Sequence, residues 1–140
     1  MKSVLLPVDG SKASLRAAEH LIDIRTPGKP LELHLLNVQP ALPVNVKSFV
    51  SADLVKRYHH DESAKALAVV RRRLDKARVL YQVHMGVGDP ATTIVRFAAK
   101  LGCDEIVMGT RGHGGFARML LGSVASKVLH DARVPVLLVK

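Results

Sequence analysis

The chain has 140 residues and carries 21 lysines and arginines against 12 acids, a formal net charge of +9. That length suits one domain, and no run approaches the roughly 20 apolar residues a membrane span needs. The opening Met-Lys-Ser-Val-Leu-Leu-Pro-Val-Asp-Gly is too short for a secretory leader. The single Cys103 rules out an internal disulfide, so a reduced, cytoplasmic setting is expected.

Residues 4–8, Val-Leu-Leu-Pro-Val, read as a buried strand that ends in the turn Asp9-Gly10-Ser11. Ser11 is placed to cap a helix whose buried face carries Ala17, Ala18, Leu21 and Ile22 and which stops before Pro27-Gly28. A second strand spans 31–38 and is broken by Gln39-Pro40, and a loop runs from there to about Phe49. A long helix is expected over about 51–77, with Leu67, Val70, Leu74 and Ala77 at helical spacing. Residues 79–85 form a third strand, closed by Gly86-Val87-Gly88. Asp89-Pro90 is a helix start, an N-cap followed by proline at the first position. Ile94, Phe97, Ala98 and Leu101 give that helix its stripe, and Gly102 is its stop. A fourth strand covers 105–108, a helix covers 123–131, and a fifth strand covers 134–139. Strand and helix alternate four times before the closing strand, which predicts a parallel sheet with helices on both faces.

The positive charge favours anionic partners without choosing among them. Its densest cluster, Arg71-Arg72-Arg73 with Lys76 and Arg78, lies on the long helix. It reads as a solvated face, because stacking partners for a nucleic acid are scarce in a chain with two tyrosines and three phenylalanines. The neighbouring pair His59-His60 before Asp61-Glu62 also reads as a solvated face, since adjacent side chains on a helix diverge by about 100°. Cys103, just before the fourth strand, reads as a buried structural thiol.

Residues 108–123, Met-Gly-Thr-Arg-Gly-His-Gly-Gly-Phe-Ala-Arg-Met-Leu-Leu-Gly-Ser, are the unusual stretch. They carry five glycines after an apolar strand. They fit neither the Gly-x4-Gly-Lys-Ser/Thr loop, because no lysine precedes Ser123, nor Gly-x-Gly-x-x-Gly, because the third glycine would fall at Ala117. A surface loop is one reading. The other is a phosphate cradle, in which Gly109 and Gly112 follow a strand end, Gly122 and Ser123 open a helix, and bare amides meet an anion. Asp9, after the first strand, faces the same crevice if the first and fourth strands are neighbours. It serves there either as a ligand contact or as a turn-former before glycine.

The spacing Gly109-x2-Gly112-x9-Gly122-Ser123 resembles the signature of the ATP-binding branch of the universal stress protein family. The likeness extends over Leu-Leu-Pro-Val-Asp-Gly-Ser, Leu-Leu-Asn-Val, Gly-x-Gly-Asp-Pro and the terminal Val-Pro-Val-Leu-Leu-Val, so it covers the chain as one domain, 1–140. It implies a Rossmann-like open five-stranded parallel sheet in the order 3-2-1-4-5, akin to adenine nucleotide alpha hydrolases. It also implies ATP as ligand, with Mg or Mn on the phosphates. By this resemblance Pro7, Val8 and Asp9 border adenine and ribose, Val38 meets the adenine edge through its backbone, and Met108 and Gly109 approach the ribose. Arg111, Gly112, Gly122, Ser123 and Val124 surround the phosphates. Many members place a hydroxyl two positions after the signature serine, where this chain has Ala125. No nucleophile–base pair stands out, so the reading is a nucleotide-dependent regulatory stress protein. A slow ATPase or phosphotransferase and a basic nucleic-acid-binding module are the alternatives. The apolar edge Val136 to Val139 invites a homodimer through strand five.

Overall fold

The computed structural model describes residues 1–111 and 121–140. The elements run β1 (Lys2–Pro7), α1 (Lys12–Asp23), β2 (Leu31–Gln39), α2 (Val44–Lys47), α3 (Ala52–Lys76), β3 (Gln82–Val87), α4 (Pro90–Lys100), β4 (Glu105–Gly109), α5 (Ser123–Asp131) and β5 (Val136–Val139). Every strand pairing is parallel, and the order is β3-β2-β1-β4-β5, as the resemblance implies.

Each face of the sheet has its own apolar layer. Ala17, Ala18 and Leu21 of α1 and Leu67, Val70 and Leu74 of α3 pack on Val4, Leu6, Leu33 and Leu35. Ile94 and Ala98 of α4 and Ala125 and Val128 of α5 pack on Leu5, Leu36, Ile106 and Met108. Successive strand residues point to opposite faces, which is why the runs Val4-Leu5-Leu6 and Leu33-His34-Leu35-Leu36 are buried throughout. The helix starts are set by local chemistry. The side chains of Ser11, Ser51 and Asp89 each accept an N–H from the first turn of α1, α3 and α4 respectively. Gly102 stops α4 with φ +66°.

The structure corrects four boundaries. The third strand starts at Gln82 rather than 79 and runs through Gly86 and Val87, which were expected to close it. Gly86 belongs there because a β-carbon would meet Thr93 Cγ2 at 2.5 Å; the stop is Gly88, at φ +137°. The expected loop after β2 contains the single turn of α2. Strand five begins at Val136 rather than 134. Strand one ends at Pro7, although the Val8 N–H still reaches the Leu36 carbonyl at 2.8 Å.

Candidate functional site

The chain leaves β1 toward the face holding α1 and α3, and leaves β4 toward the face holding α4 and α5. β1 and β4 are neighbours, so strand order reverses between them and a crevice opens beyond their carboxyl ends.

Three turn residues build the β1 side. Gly10 has φ +85°, a left-handed conformation that glycine adopts without strain. The Ser11 N–H donates to Asp9 Oδ1 at 2.9 Å, so Asp9 shapes this turn while its exposed carboxylate stands at the crevice. Pro7 and Val8 are buried behind it.

The β2 side contains a feature absent from the sequence reading. Asn37, 2% exposed, donates from Nδ2 to the carbonyl of Val8 at 2.8 Å. Gln39 donates from Nε2 to Asn37 Oδ1 at 2.7 Å. This changes the sheet ladder. In a parallel strand the backbone N–H and C=O of one residue point to the same side, and successive residues alternate. The Leu36 carbonyl accepts from Val8 on the β1 side, while the Gln39 carbonyl accepts from the Gly88 N–H toward β3 at 2.9 Å. Val38 therefore directs its N–H and C=O to the β1 side. The next rung would carry its N–H to the Val8 carbonyl; in its place the Asn37 side chain donates to that oxygen. β1 has turned away at Asp9, and the Val38 backbone edge is left to the crevice.

Here a cleft of about 440 Å³ is lined by Asp9, Asn37, Val38, Gln39, Pro40 and, from α3, Lys65 among others; that is within the usual volume for small-molecule sites. His59 corrects a second expectation. It is 5% exposed rather than solvated, and its Nε2 donates to the Pro40 carbonyl at 3.1 Å. It pins the chain at the cleft rim to α3, while His60 next to it is exposed. The signal was the spacing 59, 63, 67, 70, 74, which is the buried face of α3. The Arg71-Arg72 segment is exposed, as expected of a solvated face.

On the β4 side, Met108 is buried, and Gly109 lies close against Ala13 at the start of α1. Packing therefore already demands that Gly109 be bare, before any ligand is considered. The Thr110 N–H donates to the Val139 carbonyl at 3.1 Å, and the Gly122 N–H donates to the Thr110 carbonyl at 2.6 Å. The glycine-rich segment thus leaves and returns at one point, and the Gly122 amide is spent on that closure. The helix behind it supplies the remaining donors. Gly122 is the N-cap of α5 and gives no side-chain cap, so the amides of Ser123 and Val124 have no intrahelical partner and carry the positive end of the helix dipole. Ala125 is buried in the core. Arg111 is exposed where the segment begins. Gly112 and His113 lie outside the described residues.

Cys103 is buried as expected, and burial pushes its thiol pKa up. Among the described residues no group of three His, Cys, Asp or Glu side chains is placed to hold a metal. No helix among them is long and apolar enough to cross a membrane.

This fold defines a Rossmann-like α/β protein with a crevice where strand order reverses. Comparison with known proteins narrows the class. The model of the universal stress protein family matches residues 1–140, and the chain belongs to that family. It is 37% identical to universal stress protein MJ0531 of Methanocaldococcus jannaschii, over 99% of this chain and 82% of that one. The solved structure of hypothetical protein MJ0577, from the same organism, superposes with a TM-score of 0.85 at 29% identity, covering 99% of this chain and 95% of that one. The universal stress protein from Archaeoglobus fulgidus in complex with dAMP shares the fold, with a TM-score of 0.68 at 22% identity over 100% and 98% of the two chains.

Proposed function

We propose that this protein binds ATP and acts as a nucleotide-dependent regulator in the cytoplasm, its bound state changing its contacts with other proteins. The observation that carries the reading is the Val38 backbone edge, which stands beyond the last rung to β1 at the point where the Asn37 side chain donates to the Val8 carbonyl. A nucleobase edge supplies the donor and acceptor such a pair lacks. The uncapped start of α5 across the crevice suits the phosphates, since anions are favoured at a helix N-terminus. A universal stress protein of the same fold has been solved in complex with dAMP, which supports an adenine nucleotide as the class of ligand.

In this reading Pro7, Val8, Asp9 and Val38 border the base and ribose, and Met108 and Gly109 close the floor. Arg111, Gly112, Ser123 and Val124 meet the phosphates, and Gly122 holds the segment shut. Mg²⁺ or Mn²⁺ would sit on the phosphate oxygens, neutralising their charge; this donor set gives it no cage of protein ligands. A homodimer through Val136–Val139 completes the proposal, since among the described residues β5 pairs only with β4.

Ser123→Asp tests the phosphate position. An acid in the first turn suits the helix dipole, so the fold is retained, while the charge repels a polyphosphate. ATP affinity, followed with a fluorescent ATP analogue, should fall by at least about tenfold while adenosine affinity holds. Equal ATP affinity in the variant overturns the placement. Absence of any nucleotide in native mass spectrometry of gently extracted protein, together with no binding on titration, overturns the function.

A further inference from the structure

We propose that Gln39 is the residue that sets base preference in this cleft, selecting a base with an exocyclic amino group over its oxo counterpart. The inference rests on the nucleotide reading above and names a specificity determinant within it. Its physical basis is the direction of a hydrogen-bond chain. A main-chain carbonyl can only accept, so the Val8 oxygen forces the NH2 of Asn37 toward itself at 2.8 Å. That leaves Asn37 Oδ1 facing Gln39, and an acceptor there forces the NH2 of Gln39 inward at 2.7 Å. The orientation of both amides is thus dictated by one backbone oxygen. Gln39 Oε1 takes no part in the chain, and Gln39 lines the cleft. The Nε2 bond thus leaves Oε1 as the acceptor that Gln39 can offer in the cleft it shares with Val38.

The Val38 edge alone cannot choose. Its N–H and C=O form one donor and one acceptor. They can pair with the ring-nitrogen acceptor and amino donor of a 6-aminopurine, or, with the base shifted, with the N1–H and O6 of a 6-oxopurine. A second acceptor breaks this symmetry. An amino group has two hydrogens and can satisfy both Val38 and Gln39, whereas the shifted 6-oxopurine brings only its single N1–H to the Val38 carbonyl and leaves Oε1 without a donor. A site that offers an acceptor to an N–H binds an analogue lacking that N–H less tightly, because the acceptor is left without its partner. Asn37 is a positioning residue in this scheme, since it orients Gln39.

The experiment titrates the full-length protein with ATP and with inosine triphosphate, which differs from ATP only in the oxo group at C6 and the proton at N1. Wild type should prefer ATP by about tenfold or more, the worth of one such hydrogen bond. Gln39→Met keeps the length of the side chain and removes the acceptor. ATP affinity should fall to within about threefold of that for inosine triphosphate, while inosine triphosphate still binds at least as tightly as it does to wild type, which certifies that the site is folded. If wild type binds both alike, or the variant keeps the preference, the proposal is overturned while nucleotide binding stands. If the variant loses both equally, Gln39 is structural and the proposal is overturned. If wild type binds neither, the nucleotide reading itself fails.

Discussion

A first side-chain carbon at Gly109 would lie 2.7 Å from both the Cβ and the carbonyl carbon of Ala13. Real carbon atoms do not approach so closely, so the end of β4 and the first turn of α1 fit together only because residue 109 is bare. Ala13 is itself buried and has no room to yield. Gly109→Ala should therefore destabilise the protein by about 1–3 kcal/mol, the usual cost of overpacking. An unchanged urea midpoint would show that α1 shifts freely and that Gly109 is not a packing requirement.

Asp89 holds three donor groups from two residues. Its carboxylate accepts from the Thr92 N–H at 3.0 Å and the Thr92 hydroxyl at 2.7 Å, and it pairs with Lys127 of α5 at 3.0 Å. The Thr92 bonds, followed by Lys127, hold its pKa down from 3.8 to about 2. A carboxylate depressed in the folded state contributes stability that is present above its unfolded value and lost as pH falls through the folded one. Asp89→Ala should thus lower the melting temperature at pH 7 and leave it nearly unchanged near pH 2. A variant whose deficit stays constant from pH 7 to 2 would contradict this.

Most of the fold is legible in the chain because it rests on local chemistry. Ser11, Asp89 and Gly102 act where their residue types predict, and the apolar runs of β1, β2 and β4 declare buried strands. What stayed hidden depends on partners distant in sequence. Gly86 looks like a strand breaker until Thr93 is seen against it. His59 looks like a surface residue until Pro40 offers its carbonyl. Asn37 looks like a strand residue with a polar side chain, and nothing local says that it reaches Val8. The helix expected from Ser123 begins there, with Gly122 as its N-cap. The work of Gly109 and Gly122 is nonetheless partly internal, one against Ala13 and the other in the bond to Thr110.

His34 and His84 join β2 to the edge strand β3 through a 2.9 Å bond between Nδ1 and Nε2. The far nitrogen of His34 faces Glu32 at 3.1 Å. With one proton on each ring, His34 donates to Glu32 and accepts from His84, so every group is satisfied. Burial, then His34 and Lys100, lowers the pKa of His84 below its usual 6.5. A histidine depressed in the folded state binds its proton more readily when unfolded, so stability falls as pH drops below about 6.5. His84→Gln retains a donor toward His34 and removes the titration. Its urea midpoint should decline less than that of wild type between pH 7.5 and 5.5. Parallel declines would place the acid sensitivity elsewhere.

β5 offers a way to separate assembly from folding. The Ile106 N–H donates to the Pro135 carbonyl and the Thr110 N–H donates to that of Val139, so the odd-numbered residues of this strand face β4. Backbone groups alternate, and Val136 and Leu138 therefore turn their N–H and C=O outward along the free edge. Their side chains are half-buried and apolar, with none of the charges that natural edges use to discourage pairing. A two-fold strand pairing would use those outward groups. Proline at 138 deletes one outward N–H while sparing the ladder to β4, since proline is tolerated on edge strands where no donor is needed. Wild type should run as a dimer at micromolar concentration by light scattering, and Leu138→Pro as a folded monomer with ATP affinity within about twofold of wild type. A monomeric wild type, or a Leu138→Pro dimer, would remove β5 as the interface.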